Sequence, residues 1–224
     1  MPKPHWSGKS SPVLFDLDLR MKNIIFDFDG TLADSFPLVL DLFYKWSKCD
    51  PLPDKTVQML RNKSIKEVLA YFKIPMWKVP GLLVKGRVDL GRRLAEVPLF
   101  ADMDTVLKKL HSTNRQIFLM SSNSAVNVNK FLKIHKIDGY FTEVFGNAGI
   151  FGKAPVMKRI IQKYRLNPKD CYSIGDEIRD IDATKKVGIT SIAVGWGYNG
   201  EQILKAHKPD YFAHKPTDLI KLLQ

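Results

Sequence analysis

The chain of 224 residues contains few cysteines and no long apolar run. Its two cysteines, Cys49 and Cys171, are too few for the disulfide framework of a small secreted domain. No apolar stretch approaches the roughly 18 residues of a membrane-spanning helix, and no internal repeat or low-complexity tract is present. These absences argue against a disulfide scaffold, a helical membrane protein and a repeat array. A reducing, cytoplasmic setting is the simplest expectation.

The composition is that of an ordinary globular protein, with 45% hydrophobic and 26% charged residues. Its length suits one α/β domain with an insert, or two small domains. The net charge of +12 can attract nucleic acid, but the 35 lysines and arginines are scattered and form no dense basic run with interleaved aromatics. We therefore expect a basic surface that draws in small phosphorylated molecules, and neither a nucleic acid nor a membrane as partner. The oligomeric state cannot be predicted.

Residues 1–20 are rich in Pro, Ser, Gly and His. They include Lys3 and Lys9 but no continuous apolar core, so they do not form a secretory signal. We expect a loosely ordered leading tail. Met21, directly before the first strand, is an equally suitable functional start.

The stretch around which the chain is organised is a mostly apolar run at residues 24–28, which includes Asp27 and is followed by Asp29, Gly30 and Thr31. Such a run is typical of a buried strand. Two carboxylates at the carboxyl end of a central strand repel each other unless a cation lies between them. The pattern favours a metal site where open α/β sheets bind ligands. The alternative is a turn in which both aspartates cap backbone amides.

Between residues 35 and 98 the sequence predicts helices only. Four helices are predicted: one that begins at Phe36, one at about 56–61, one that begins at a Ser64–Glu67 capping box and one at about 82–97. The predicted breaks between them lie at 50–54, at Pro75 and at 80–81. Because this insert follows the first strand, it would lie over Asp27 and Asp29 and could act as a lid.

From residue 102 onward, predicted helices and strands alternate. The strands are expected at 116–120, 143–145, 171–174, 191–194 and 211–212. The predicted fold is therefore α/β, a Rossmann-like parallel sheet with helices on both faces and a small all-helical cap after the first strand. Its expected division is a core of 21–34 and 99–224 with a cap of 35–98.

Three further polar residues follow predicted strands. Ser121 either joins the site or caps the next helix. Lys153 begins a helix, where a cation is unfavourable, so either an anion lies nearby or the side chain is simply solvated. Asp176 ends a strand, where Mg²⁺ could use it together with Asp27.

Two more acids, Glu177 and Asp180, follow at a predicted helix N-terminus. The helix dipole favours acids at that position, so a purely structural role is a real alternative for both.

In chain order these motifs read Asp-x-Asp-Gly-Thr, Ser, Lys and Gly-Asp-Glu-x-x-Asp, each after an apolar strand. Over residues 21–224 the chain resembles the haloacid dehalogenase superfamily, and within it the phosphoglycolate phosphatase-like members. The helical insert is similar to that family's small helical cap. The resemblance implies a Mg²⁺-dependent phosphatase that acts on a small phosphorylated metabolite through an aspartyl-phosphate.

The resemblance also implies a role for each matching position. Asp27 would be the nucleophile and Asp29 the general acid/base, while Lys153 would neutralise the phosphate and the nucleophile. The remaining assignments are phosphate contacts by Thr31 and Ser121, metal ligation by Asp27, Asp29 and Asp176, and action through metal-bound waters by Glu177 and Asp180. Ser122 follows Ser121 and could take over the phosphate contact, and Ala154 stands where relatives often have proline.

The chemistry supports this interpretation. Phosphate monoesters hydrolyse extremely slowly unaided, and a carboxylate nucleophile divides the reaction into two easier steps. Asp27 and a phosphate repel each other, so Mg²⁺ and Lys153 are needed to offset the charge. A dehalogenase needs no acid two residues after the nucleophile, whereas Asp29 is present here.

Three alternatives remain open: a phosphotransferase such as a sugar-phosphate mutase, a non-catalytic phosphate-binding regulatory protein, and a carbon–phosphorus hydrolase that uses a cap lysine. The available cap lysines are Lys45, Lys48, Lys63 and Lys66.

Substrate choice is expected to depend on the cap. Arg61 and Lys63 lie in a break between cap helices and could bind a carboxylate-bearing substrate such as phosphoglycolate. A solvated basic loop is the alternative.

Overall fold

A computed structural model of the protein describes residues 23–113, 115–148 and 152–223. Its six strands form one sheet in the order β3-β2-β1-β4-β5-β6, and every neighbouring pair is parallel. The strands are β1 (Asn23–Asp27), β2 (Ile117–Met120), β3 (Glu143–Phe145), β4 (Cys171–Gly175), β5 (Thr190–Val194) and β6 (Tyr211–Ala213).

The central strand β1 is buried on both faces. Ile24 and Phe26 belong to the larger apolar core, whereas Ile25 belongs to the core on the other face. This alternation follows from the period of two along a strand. It explains why the first strand reads as a continuous apolar run, and it places the acidic residues that follow at the middle of the sheet edge.

Ten α-helices lie in the described residues. They are α1 (Phe36–Ser47), α2 (Asp54–Arg61), α3 (Ile65–Tyr71), α4 (Val79–Arg92), α5 (Met103–His111), α6 (Ala125–Ile134), α7 (Lys153–Lys163), α8 (Ile178–Val187), α9 (Glu201–Ala206) and α10 (Asp218–Leu222). Leu107 of α5 and Phe131 of α6 pack on one face of the sheet, and Met157 of α7 and Ala183 of α8 on the other. The predicted α/β fold with helices on both faces is confirmed.

Helices α1–α4 form the insertion between β1 and α5; Leu38, Leu42 and Leu90 join the main core, and part of the insertion has a core of its own. Leu60, Leu69, Phe72 and Ile74 make a small apolar cluster within it. The chain segments that enter and leave the insertion run side by side. The Asp34 amide donates to the Pro98 carbonyl at 2.9 Å, and the Phe100 amide donates to the Leu32 carbonyl at 3.1 Å. The insertion is thus anchored at its base by a pair of antiparallel linkers.

The fourth helix of the insertion differs from the prediction. It starts at Val79 and includes residues 80–81, which were expected to break it, because Pro80 lies in the first turn, where its missing amide has no helical partner to lose. It ends at Arg92, and a 3-10 turn at Leu94–Glu96 replaces the expected last turn. The predicted capping box of Ser64 and Glu67 is present.

Ser35 occupies the expected N-cap position of α1, but its hydroxyl makes no capping hydrogen bond and donates to Asp29 instead. The predicted leading tail at 1–20 and the question of Met21 lie outside the described residues. No helix in the described ranges is both long and apolar enough to cross a membrane. The domain division into 21–34 with 99–224 and 35–98 stays a prediction.

The turn after β3 supports the loop that follows β2. The amides of Ser121 and Ala148 bond to the Phe145 and Ser121 carbonyls at 2.9 Å each, so the two loops are held side by side. A Cβ on Gly146 would collide with the backbone of Ala125, whereas a Cβ on Gly139 would meet no atom within 4 Å.

We therefore expect Gly146→Ala to lower the free energy of unfolding by about 1–3 kcal/mol, the usual cost of overpacking. The control Gly139→Ala should leave it unchanged or raise it by about 0.4–1 kcal/mol by restricting the unfolded chain. Urea denaturation of both variants measures the difference. Equal stability of the two would show that the loops have room to separate.

Candidate active site

Three buried carboxyl groups meet at the carboxyl edge of the sheet. Asp27 ends β1, Asp176 follows β4, and Asp180 lies in the first turn of α8. One oxygen atom from each of the three lies within 4.8 Å of the others. Adjacent parallel strands bring Asp27 and Asp176 together, because β1 pairs directly with β4.

Lys153 is the cation of this cluster. Its ammonium lies 2.8 Å from Asp27 Oδ2 and also donates to Asp180. Burial by itself would lower the pKa of Lys153, but Asp180 and Asp27 outweigh this and raise it, so the side chain stays charged. Of the two alternatives for this lysine at the start of a helix, the structure supports the nearby anion, because the Asp27 and Asp180 carboxylates contact it.

The cluster holds three carboxyl groups against one ammonium, and burial makes their ionisation costly. Burial raises the pKa of Asp27 to about 7 despite the neighbouring ammonium. It also raises the pKa of Asp176 well above its ordinary value, with the charge of Asp27 adding to the effect. Three close carboxyl oxygens against a single ammonium are a ligand set that Mg²⁺ binds. The residues present therefore fit a divalent cation.

Asp176 is held in place from two sides. Thr31 Oγ1 and the Tyr198 amide donate to its two carboxylate oxygens at 2.7 Å each. Gly30, at φ +79°, and Gly197 pass so close that a Cβ on either would collide with Asp176. These glycines let the first and last loops of the site reach the same carboxylate.

Thr31 therefore does not lie where the sequence predicted. Its side chain is fully buried and its hydroxyl is committed to Asp176, so it is not placed to hold phosphate oxygens. The role that the structure supports for Thr31 is orientation of the Asp176 carboxylate.

Asp29 is turned away from the three-carboxylate cluster by the tight turn at 28–33. Ser35 Oγ donates to its Oδ1 at 2.9 Å and Ser121 Oγ reaches its Oδ2 at 3.5 Å. Ser35 is itself 2.8 Å from the Tyr198 hydroxyl. Burial raises the pKa of Asp29 to about 6. The predicted metal ligation by the Asp29 side chain is not supported by this arrangement, since Asp180 stands in the cluster instead.

The loop after β2 presents polar groups beside Asp29. Ser121 is buried, and its hydroxyl accepts from the Asn123 amide at 2.9 Å. Ser124, not Ser121, caps α6, so the capping alternative for Ser121 is wrong. Ser122 and Asn123 line the cavity above Asp27, and the buried Asn123 Nδ2 has no hydrogen-bond partner among the described residues.

Glu177 is neutralised by a neighbour. Arg179 donates to both of its carboxylate oxygens, at 2.8 and 2.5 Å. Burial alone would raise the pKa of Glu177, but the Arg179 charge and hydrogen bonds lower it. To act through a metal-bound water, Glu177 would have to give up part of its ion pair with Arg179. Asp180 bonds to Lys153 and accepts from the Glu177 amide at 3.2 Å.

The two predicted cap residues line a neighbouring cavity of about 290 Å³ and not the one above Asp27, although both cavities share Tyr198. The Arg61 guanidinium donates to the Gly197 carbonyl and, at 3.2 Å, to the Tyr198 carbonyl. The exposed Lys63 ammonium lies 3.1 Å from Glu67. The Arg61 guanidinium thus joins the insertion to the loop after β5, and its contact with a substrate carboxylate stays a prediction.

A cavity of about 200 Å³ separates this floor from the insertion. Its floor contains Asp27, Asp29, Ser122 and Asn123, with Glu177, Arg179 and Tyr198 at the side. Its roof is formed by apolar residues of α1, α3 and α4, together with Gly86 and Arg87. Tyr198, Arg179 and Arg87 were not predicted from the sequence. Only Tyr198 had a local signal, the glycine-rich stretch 195–197 that precedes it.

The comparisons with known proteins agree with this geometry. The family model of haloacid dehalogenase-like hydrolases matches residues 24–194. The chain belongs to the haloacid dehalogenase-like hydrolase family.

Several known proteins are similar to this chain along almost their whole length. A phosphoglycolate phosphatase from Synechococcus elongatus is 31% identical over 204 residues, covering 90% of this chain and 96% of the relative. The pyrophosphatase PpaX of Bacillus mycoides is 23% identical, covering 92% and 98%. The haloacid dehalogenase-like family protein from Streptococcus pneumoniae shares the fold, with a TM-score of 0.75 at 23% identity, covering 92% and 99%. The chain is a phosphatase of this hydrolase family.

Lys153 should be more important for stability than another lysine of the same helix. Replacing Lys153 by Met leaves Asp27 and Asp180 buried without their cation, and we expect the free energy of unfolding at neutral pH, without added metal, to fall by about 3–5 kcal/mol. Lys163→Met removes a half-exposed ion pair with Glu143 and should cost about 1 kcal/mol or less. Chemical denaturation of both variants measures this. Similar losses would mean that Asp27 and Asp180 take up protons at little cost.

Proposed function

We propose that this enzyme is a Mg²⁺-dependent phosphatase that hydrolyses a small phosphorylated metabolite through an aspartyl-phosphate formed on Asp27. One observation carries the proposal. Asp27 lies at the floor of a cavity, in contact with the Lys153 ammonium and close to Asp176, while Asp29 faces the same cavity with its own hydrogen-bond partners. Nucleophile, counter-charge and proton donor thus share one compartment.

Asp27 and Asp176 would hold the Mg²⁺ ion, with Asp180 as the third carboxylate of the cluster. When bound, the ion supplies positive charge that offsets the repulsion between the carboxylates and the phosphate. The hydroxyl of Thr31 and the amide of Tyr198 keep Asp176 oriented toward Asp27.

In the first step, a carboxylate oxygen of Asp27 attacks phosphorus and the bond from phosphorus to the ester oxygen breaks. Asp29 donates its proton to that departing oxygen. In the second step, a water attacks phosphorus of the aspartyl-phosphate, Asp29 takes up a proton from the water, and the Asp27 carboxylate leaves. A pKa of about 6 suits Asp29 for both roles near neutral pH, since little free energy separates its protonated form from its ionised form.

The phosphate oxygens would be met by Lys153 and by the loop after β2. Ser122 and Asn123 line the cavity beside Asp27, and the Ser121 hydroxyl lies 3.5 Å from Asp29 Oδ2.

The named relatives support a phosphorylated substrate of small size, because the Synechococcus elongatus relative is a phosphoglycolate phosphatase and that of Bacillus mycoides a pyrophosphatase. The carbon–phosphorus hydrolase alternative is weakened, since its four candidate cap lysines are all exposed. Complete filling of the catalytic positions argues against a purely regulatory protein. We further propose residues 35–98 as the cap domain; the cytoplasmic location stays a prediction.

The two aspartates should differ in how their loss depends on the leaving group. Asp27→Asn removes the nucleophile, so kcat should fall on the order of 10⁴-fold or more for every substrate. Asp29→Asn removes the proton donor, so kcat should fall by about 10²–10⁴-fold for an alkyl phosphate. The first step with p-nitrophenyl phosphate, seen as a pre-steady-state burst of p-nitrophenol, should be slowed much less, because that leaving oxygen needs no proton. Steady-state phosphate release and the p-nitrophenol burst, both with saturating Mg²⁺, measure these effects.

The control for this pair is Asp104→Asn, an exposed carboxylate on α5, which should keep full activity. Full activity of Asp27→Asn would contradict the mechanism. A slowing of the p-nitrophenol burst in Asp29→Asn as large as the loss of alkyl phosphate turnover would contradict the proton-donor role.

Hydrolase and mutase can be separated by their products. Incubation with a hexose phosphate should release inorganic phosphate and form no isomerised sugar phosphate, because the roof of the cavity offers few polar groups to hold a sugar during phosphate return. Accumulation of the isomer in excess of free phosphate would establish the phosphotransferase instead.

A further inference from the structure

The roof of the catalytic cavity is almost entirely apolar. Phe43 and Trp46 of α1 and Leu82 and Leu83 of α4 line it and are only partly buried, although Phe43, Trp46 and Leu82 also pack against neighbouring apolar side chains. The apolar surface of such residues gains free energy when it is removed from water. An occupant that is itself apolar would provide that gain.

The charged groups at this cavity point to the same conclusion. Of the described residues that line this cavity, the insertion contributes a single charged side chain, Arg87, and its Nη1 already donates to Asn147 Oδ1 at 3.4 Å. The cations Arg61, Lys63 and Lys66 line a second cavity, which shares Tyr198 and Arg179 with the first. Arg179 at the side is paired with Glu177 through two hydrogen bonds. A carboxylate on the leaving group would add a negative charge above a floor that is already acidic, and a polyol would find few hydrogen-bond partners on the roof.

We infer that the alcohol half of the substrate is largely apolar: the enzyme hydrolyses the phosphate ester of an alkyl or aryl alcohol in preference to that of a short hydroxy acid or a polyol. This inference rests on the proposed phosphatase function and specifies its substrate class. The phosphate lies on the polar floor, and the apolar body of the alcohol extends toward α1 and α4. The cavity of about 200 Å³ is large enough for a group well beyond glycolate in size.

A homologous series of substrates tests the inference. We would measure kcat/KM with saturating Mg²⁺ for ethyl, butyl and hexyl phosphate and for 2-phosphoglycolate, by release of inorganic phosphate. The three unbranched alcohols have nearly equal acidity, so differences among their esters report binding of the alkyl chain. We expect kcat/KM to rise by about three- to fourfold for each added methylene until the cavity is filled, and hexyl phosphate to exceed 2-phosphoglycolate.

Two neighbouring residues of α4 provide a matched pair of variants. Leu83 faces the cavity, whereas Val84 is 62% exposed on the outer side of the same helix. Leu83→Gln should flatten the dependence of kcat/KM on chain length, and Val84→Gln should leave the slope as in the natural protein. Circular dichroism of both variants confirms that the helix remains folded.

Three outcomes would overturn the inference. A flat alkyl series with 2-phosphoglycolate as the best substrate would refute the apolar substrate class while leaving the phosphatase intact. A rising series with the same slope in Leu83→Gln and Val84→Gln would place the alkyl chain elsewhere. No Mg²⁺-dependent hydrolysis of any ester by the folded protein would instead refute the proposed function, and the inference with it.

Discussion

The site depends on one buried electrostatic arrangement, in which a single ammonium lies among carboxylates that the fold forces together. Lys153 contacts Asp27 and Asp180, and Asp176 approaches the same point from the neighbouring strand. Desolvation makes each of these charges costly by itself. The carboxyl groups can therefore lie close together only because the ammonium offsets part of their charge. With three carboxyl groups against one ammonium, the site can still bind a divalent cation.

The surrounding structure can be understood as support for this arrangement. The parallel sheet delivers Asp27 and Asp176 from adjacent strands, and Gly30 and Gly197 allow two loops to close on Asp176. The loop after β5 links this support to the insertion, because Tyr198 donates its amide to Asp176 while its carbonyl accepts from Arg61. Position of the insertion and orientation of a carboxylate are thus coupled through one short segment.

The insertion also gives the cavity two chemically different sides. Its apolar roof faces a polar floor, so a phosphate and the group attached to it meet opposite environments. The floor comes from the ends of the strands and the loops that follow them. The roof comes from helices whose side chains can vary without disturbing the sheet, and this makes it the natural place for substrate choice.

The sequence by itself determined the parallel sheet, the helical insertion and the convergence of Asp27, Asp29, Lys153 and Asp176 on one edge. The periods that mark strands and helices are local properties of the sequence, and the rule that parallel strands end at the same edge follows from the order of the elements. Tertiary structure alone decided which partner each polar group takes. Thr31 turned to Asp176 and Arg61 to backbone carbonyls, and Asp180 entered the cluster in place of the Asp29 side chain. Hydrogen bonds of this kind join residues far apart in the chain, so their directions depend on packing that no local pattern encodes.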